Sequence, residues 1–304
     1  MAGAAVALYN ERMPAPSPHI AVVVLAWNGR DLTLDCLRSL AAVKTGNLHI
    51  LLVDNGSSDD TVGAVRALGD TRVSVLENGA NLGYAAGNNA GIRQALSDGA
   101  DYILLLNNDT LVDPLFVDEL LAAMNTDAAV GIAAPKIYFS DPRDQIWFAG
   151  GEVHLWRGTA RHTGIREMDR GQYDTPHDID YASGCALFAR RAVFERAGLL
   201  DPAYQAYFED TDLCLRARNA GFRIRFVPTA HVWHRISAST GGQLSARKVR
   251  RKLASTRRFF CTHARPWHWL TIPLFFALDV VRIGLLVLAG RIRNTGPRTT
   301  HPAS

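Results

Sequence analysis

Ile20-Ala-Val-Val-Val-Leu-Ala26, followed at once by Trp27-Asn28-Gly29-Arg30, is the stretch on which the fold turns. Its seven residues are apolar without a polar alternation, and four are β-branched. That pattern suits a strand buried on both faces in a parallel sheet covered by helices. A helix is expected next, with Asp31 as N-cap and Leu34, Leu37, Leu40 and Ala41 at helical spacing through Val43. The alternation then repeats as strand 48–53, helix 59–68, strand 72–76, helix 85–97, strand 102–106 and helix 114–124. It predicts an α/β fold with a doubly wound, mostly parallel sheet.

In such sheets ligands bind beyond the carboxyl ends of the strands. The residues there are polar: Asn28 after the first strand, Asp54-Asn55-Gly-Ser-Ser-Asp-Asp60 after the second, Asn78 to Asn89 after the third, Asn107-Asn108-Asp109 after the fourth. No GxGxxG follows the first strand and no GxxxxGK[ST] occurs, so neither a dinucleotide fold nor a P-loop is indicated. Nucleotide binding through amide and carboxylate side chains stays open. Asp54 either accepts hydrogen bonds from a pyrimidine base or a ribose, or simply forms the turn of Asp-Asn-Gly. Gly83 and Gly87 mark close backbone approach or turns, and Asn88 and Asn89 open a helix. Asp109, at the end of an apolar strand, is placed to hold a hard divalent cation against a diphosphate. Asp113 before Pro114 already fits the competing role of helix cap.

The 304 residues, with 48% hydrophobic and 20% charged, describe an ordinary globular chain. Its charge is unevenly spread. From Arg247 onward twelve Arg and Lys face one acid, Asp279, while the preceding residues carry an excess of acid. A uniformly basic nucleic-acid binder is thereby excluded, and an anionic surface is expected only at the C-terminus. The four cysteines, Cys36, Cys185, Cys214 and Cys261, form no CxxC pair and point to a reducing, cytoplasmic compartment. Residues 1–18, with Pro14, Pro16 and Pro18, read as a flexible lead-in without a signal peptide.

Taken in order, Val53-Asp54-Asn-Gly-Ser-Ser-Asp-Asp60, Asn81-Leu-Gly-Tyr-Ala-Ala-Gly-Asn-Asn-Ala-Gly-Ile92 and Leu105-Leu-Asn107-Asn-Asp109 resemble family 2 glycosyltransferases, particularly their rhamnosyltransferase-like branch. The resemblance spans residues 20 to 240. It implies a GT-A fold, a nucleotide-diphosphate sugar donor linked through dTDP or UDP, and inversion at the anomeric carbon. Asn28, Asp54, Asn55, Asn81, Gly83, Asn88, Asn89, Asn108 and Asp109 would then serve the donor. Only the last acid of the usual Asp-x-Asp is present, at Asp109, and His234 matches the histidine that completes the metal or diphosphate site, with Mg²⁺ or Mn²⁺ as cofactor. Arg235 or a loop at 237–242 would close over the diphosphate.

The second half carries the same resemblance. Tyr181-Ala-Ser183-Gly184-Cys-Ala-Leu-Phe-Ala-Arg190 looks like the acceptor-side strand and Phe208-Glu209-Asp210-Thr-Asp212 like the Glu-Asp motif. By that match Asp210 is the candidate base, Glu209 orients the acceptor, and Asp212 supports them. The alternative is that all three acids merely meet the positive end of a helix. Grouping three carboxylates carries a like-charge cost, and inverting transfer needs one base and no covalent intermediate. Between the halves, 145–157 reads as a hairpin and 158–178 as a polar loop of the kind that forms a mobile lid. Trp147 and Trp156 there either stack on a sugar or pack the hairpin.

These readings divide the chain into a lead-in (1–18), a nucleotide-sugar-binding half (19–125), an acceptor and catalytic half (126–246) and a basic, apolar C-terminal segment (247–304). In that segment Pro273, Asp279 and Arg282 interrupt a stretch otherwise long enough to span a bilayer. It reads either as an interfacial element on anionic lipid, placing the protein peripherally on the inner face of the plasma membrane, or as a helical subdomain packed on the body. The acceptor expected is a glycan or lipid-linked glycan of polysaccharide or cell-envelope biosynthesis. Two other classes compete: a non-catalytic binder on a decayed transferase scaffold, and a sugar nucleotidyltransferase. The second would need a Gly-rich basic loop where Trp27-Asn-Gly-Arg30 stands, and the first has no use for Asp210.

Overall fold

The computed structural model describes residues 17–204, 206–235, 246–275, 277, 278 and 281. The lead-in up to residue 16, the loop at 237–242 and most of the apolar stretch after 275, with Asp279 and Arg282, lie outside the described residues.

Strand β1 (Ile20–Ala26) occupies the middle of the sheet, where every side chain but Leu25 is buried. It is followed by α1 (Arg30–Ala41), β2 (Leu48–Asp54), α2 (Thr61–Arg66), β3 (Val73–Glu77), α3 (Tyr84–Ser97) and β4 (Tyr102–Asn107). Strands β3, β2, β1 and β4 run parallel in that spatial order. The buried helix face is built to approach closely: a Cβ on Gly91 of α3 would stand 2.5 Å from Val23 and 2.8 Å from Val53.

Beyond β4 come β5 (Thr110–Val112), α4 (Phe116–Asn125), β6 (Val130–Phe139), β7 (Ile146–Phe148), β8 (Gly151–His154), β9 (Thr159–His162), β10 (His177–Asp178), β11 (Ala186–Arg190), α5 (Arg191–Ala197), α6 (Glu209–Asn219) and β12 (Arg223–His234). Strand β11 inserts antiparallel between β4 and β6, and β12 continues the sheet parallel to β6. The result is one ten-stranded, mostly parallel sheet in the order β10-β12-β6-β11-β4-β1-β2-β3, with β5 on β12 and β7 on β6. Helix α7 (Ala246–His263) and a tight turn at Pro266–Leu270 follow.

Several local expectations change. Asn28 and Gly29 both have positive φ, 58° and 79°, so the chain turns before Asp31 and α1 starts at Arg30 with Gly29 as its cap. Asp31 instead stands in the first turn, where its charge meets the helix dipole. The hairpin expected at 145–157 is displaced: β7 joins the main sheet, and the hairpin is β8 with β9. The 158–178 segment is not a free lid. Lys136, 1% exposed, bonds Asp169 and Asp174 at 2.9 and 2.6 Å, and the Tyr138 hydroxyl donates to Asp169 at 2.6 Å. A buried ammonium without those carboxylates is costly, which ties the segment to β6. The final strand runs through His231 and His234.

Candidate functional site

The carboxyl ends of the strands open on a cavity of about 560 Å³. Its lining includes Asn107 at the end of β4 and Asp109 after it, Ser183, Gly184 and Cys185 before β11, Glu209 and Asp210 of α6, and His234 at the end of β12. Six of the expected site residues, Asp109, Ser183, Gly184, Glu209, Asp210 and His234, therefore share one space.

Each is held by its element. Glu209 and Asp210 begin α6, directly after Tyr207 and Phe208, which are both left-handed at φ 69° and 73°. The Asp210 carboxylate accepts the Gly184 N–H at 2.7 Å and the Thr211 N–H at 2.6 Å, joining helix to floor. Gly184 is required there, because a Cβ would lie 2.5 Å from the Tyr84 hydroxyl. That hydroxyl donates to the Gly184 carbonyl at 2.6 Å, so α3 of the first half sets the floor of the second.

Glu209 is 7% exposed, and its Oε2 has no hydrogen-bond partner. Burial, reinforced by the Asp210 carboxylate, pushes its pKa up to about 8. Burial and the same two acids push the Tyr84 hydroxyl well up. In the same cavity, His234 Nε2 approaches Asp109 Oδ1 at 3.2 Å as an ion-pair contact that lacks hydrogen-bond alignment. Burial opposes charge on His234, but its contacts with Cys185 and the Asp109 carboxylate hold the imidazole well above its usual range. The Trp147 ring packs edge-on against it at 4.7 Å.

The donor set of Asp109 and His234 fits a divalent cation. Asp109 Oδ1 is a buried oxygen without a hydrogen-bond partner, and an imidazole nitrogen converges on it. Among the described residues no three His, Cys, Asp or Glu side chains form a cage. Two protein ligands, with diphosphate oxygens and water completing the shell, is the habit of Mg²⁺ bound together with a phosphate substrate.

Of the remaining donor-side residues, Asn28, Asp54, Asn55, Asn81 and Gly83 lie in the hydrogen-bonded loops after β1, β2 and β3. Asp54 accepts the Gly56 and Ser57 N–H groups at 3.1 Å, and Asn28 Oδ1 accepts the Ser58 N–H at 2.8 Å. Asn55, 2% exposed, donates to Asn81 and the Gly83 carbonyl and accepts from Asn78 and the Leu82 N–H. Asn88 donates to the Tyr84 carbonyl, Asn89 is paired twice with Leu200, and Asn108 donates to Thr33. Arg235 pairs with Asp35 at 2.6 Å. Trp156, half-exposed, stands away from the cavity with its ring against His268, while Trp147 lines it.

Tyr84, His162 and Lys252, which the sequence does not single out, also line the cavity, as does Tyr181 at the head of the acceptor-side stretch. Tyr84 sits inside the Asn81–Ile92 motif and was within reach. Lys252 lies 42 positions beyond Asp210 in a run of basic residues, and nothing local distinguishes it.

A family model described as glycosyltransferase like family 2 matches residues 16–254. The chain is 31% identical over 228 residues to an N-acetylglucosaminyl-diphospho-decaprenol L-rhamnosyltransferase of Mycobacterium tuberculosis, covering 67% of this chain and 72% of that one. It is 25% identical over 221 residues to the dTDP-rhamnosyl transferase RfbF of Shigella flexneri, covering 72% and 69%. Among solved structures, the mannosyltransferase PcManGT from Pyrobaculum calidifontis, in complex with GDP-Man and Mn²⁺, superposes with a TM-score of 0.55 at 16% identity, covering 90% of this chain and 79% of that one. That likeness shows a GT-A fold.

Proposed function

The chain belongs to glycosyltransferase family 2, and from that premise we propose that it transfers a deoxyhexose such as rhamnose, or another hexose, with inversion, from a dTDP- or UDP-linked donor. The acceptor is a hydroxyl of a glycan or lipid-linked glycan. Asp210 takes the proton of that hydroxyl as its oxygen attacks the anomeric carbon. The bond from that carbon to the diphosphate oxygen breaks on the opposite face, and the nucleoside diphosphate leaves with the electron pair. Glu209, protonated at neutral pH, donates a hydrogen bond that orients the acceptor. Asp109 and His234 would hold Mg²⁺ or Mn²⁺, which when bound neutralises charge developing on the diphosphate.

The observation that supports this reading is that one cavity is lined both by an acid and an imidazole suited to a diphosphate and its cation and by a pair of carboxylates suited to an acceptor hydroxyl. The names of two relatives support the choice of sugar, and one also names a diphospho-lipid acceptor. Among the described residues no helix is long and apolar enough to cross a membrane. We read the C-terminal segment from residue 247 as meeting the anionic inner face of the plasma membrane, supported by the exposure of Arg250 and Arg257 and of Leu270, Leu274 and Leu278.

Two measurements test the reading. Thermal shift with UDP, dTDP and GDP, each with Mn²⁺, Mg²⁺ or EDTA, is expected to show metal-dependent stabilisation by one nucleotide, since a ligand that binds only the folded state stabilises it. Asp210→Asn is expected to lose about 10³-fold in transfer while keeping that shift. Retained turnover in this variant overturns the assignment of the base.

A further inference from the structure

Helix α7 lies outside the sheet, yet it touches the approach to α6 at every step. Arg258 pairs with Asp201 at 2.6 Å and lies 5.4 Å over the Tyr204 ring. Lys252 places its ammonium 5.9 Å over the Tyr207 ring at the cavity mouth. Phe259, fully buried, packs at 4.8 Å between ring centroids on Phe208, with Phe260 at 6.2 Å from the same ring. Beyond the Glu209–Asp210 pair, His263 Nε2 hydrogen-bonds Asp212 Oδ1 at 2.8 Å.

The turn so gripped is one that cannot hold itself. Tyr207 and Phe208 are consecutive non-glycine residues at positive φ, a conformation that persists only where surrounding structure enforces it. Within α6, Asp212 is 3% exposed and its carboxylate is divided between Arg216 of its own helix, at 2.8 Å, and His263 of α7. The α7 contacts thus bracket Glu209 and Asp210 from both sides, at Phe208 before them and Asp212 after them. A shift of the bracket moves the Asp210 carboxylate relative to the Gly184 N–H and the cavity, and transfer geometry tolerates little displacement.

We infer that α7 is part of the catalytic apparatus, with Phe259 and His263 as positioning residues that hold the Tyr207–Phe208 turn and the first turn of α6 so that Asp210 faces the acceptor. Phe259 and His263 lie beyond residue 254, where the match to the family model ends, so the inference concerns this chain's own C-terminal helix. It rests on the reading of Asp210 as base.

The test uses the full chain with His263→Ala, His263→Gln, Phe259→Leu and Asp210→Asn, assayed for kcat, donor KM and thermal midpoint. His263→Ala is expected to lower kcat about tenfold with donor KM within about twofold. His263→Gln, whose amide N–H reaches toward the same carboxylate, is expected to recover most of that loss, and Phe259→Leu to lower kcat several-fold while remaining folded. A drop in thermal midpoint with kcat per folded enzyme unchanged in His263→Ala and Phe259→Leu overturns the proposal, as does a loss that Gln fails to recover. Turnover retained by Asp210→Asn would instead defeat the reading of the base, so the two failures are distinguishable.

Discussion

The loops after β1, β2 and β3 and the cavity between α6 and β12 are both crowded with polar side chains, and they differ in what those side chains bond. In the loops the bonding is internal. Asn55 makes four hydrogen bonds to neighbours and Asp54 closes its own turn. In the cavity it is incomplete. Of the five buried side-chain atoms without a partner among the described residues, four belong to Asp109, His162, Glu209 and His234, all of which line it. Buried polar groups are normally paired, because an unpaired one costs its full desolvation. The loops therefore hold their own shape, and the cavity is where unpaired buried polarity is concentrated.

Substitutions should divide along that line, the cavity losing turnover and the loops losing stability. After the loss of about 10³-fold expected for Asp210→Asn, the largest effect is expected from Asp109→Asn, a fall in kcat of about 10²–10³-fold with a raised requirement for Mn²⁺, measured by initial rates across a metal titration. A kcat unchanged at saturating metal would remove Asp109 from the chemistry. Next is Asn55→Ala, which strands several buried partners and is expected to cost about 2–3 kcal/mol in denaturant unfolding, with any kinetic effect falling on donor KM rather than kcat. If kcat fell and stability did not, the contrast between the two regions would fail.

Glu209 sharpens the contrast through pH. Its folded pKa of about 8 lies above the ordinary 4.5, so the fold disfavours the ionised form. Stability contributed by the neutral carboxyl is full below 4.5 and is lost progressively as pH rises to about 8. Glu209→Gln does not ionise, so its thermal midpoint is expected to gain on the parent across that window and to hold a constant lead above it. The variant's turnover should fall at most about tenfold, because the amide still donates a hydrogen bond. A lead independent of pH would contradict the burial argument. The smallest effect belongs to Trp156→Ala, which should change kcat/KM less than about threefold, as for a surface substitution.

The tail offers a second contrast. Its basic residues, read as a membrane face or a helical subdomain, turn out to share one helix with Phe259, Phe260 and His263, which pack on the body. Arg258 pairs with Asp201, while Arg250 and Arg257 remain exposed. One helix thus carries both a docking face and an outward basic face, and its body-facing contacts were invisible in a charge count.

The sequence by itself determined the parallel half of the sheet, since the apolar runs of β1, β2 and β4 leave only a doubly buried strand as their place and turn residues punctuate them. Motif order also singled out Asp109, Asp210 and His234, three residues that the fold brings to one cavity. Only the tertiary structure decided that Asn55 is a hub, that Lys136 tethers the 158–178 segment, that Tyr84 and Lys252 line the same cavity, and that His263 bonds Asp212 of α6. The physical reason is range. Periodicity and turn chemistry act over a few residues and are written locally, whereas His263, one of the two partners of the Asp212 carboxylate, is 51 positions away and meets it only once both helices have packed.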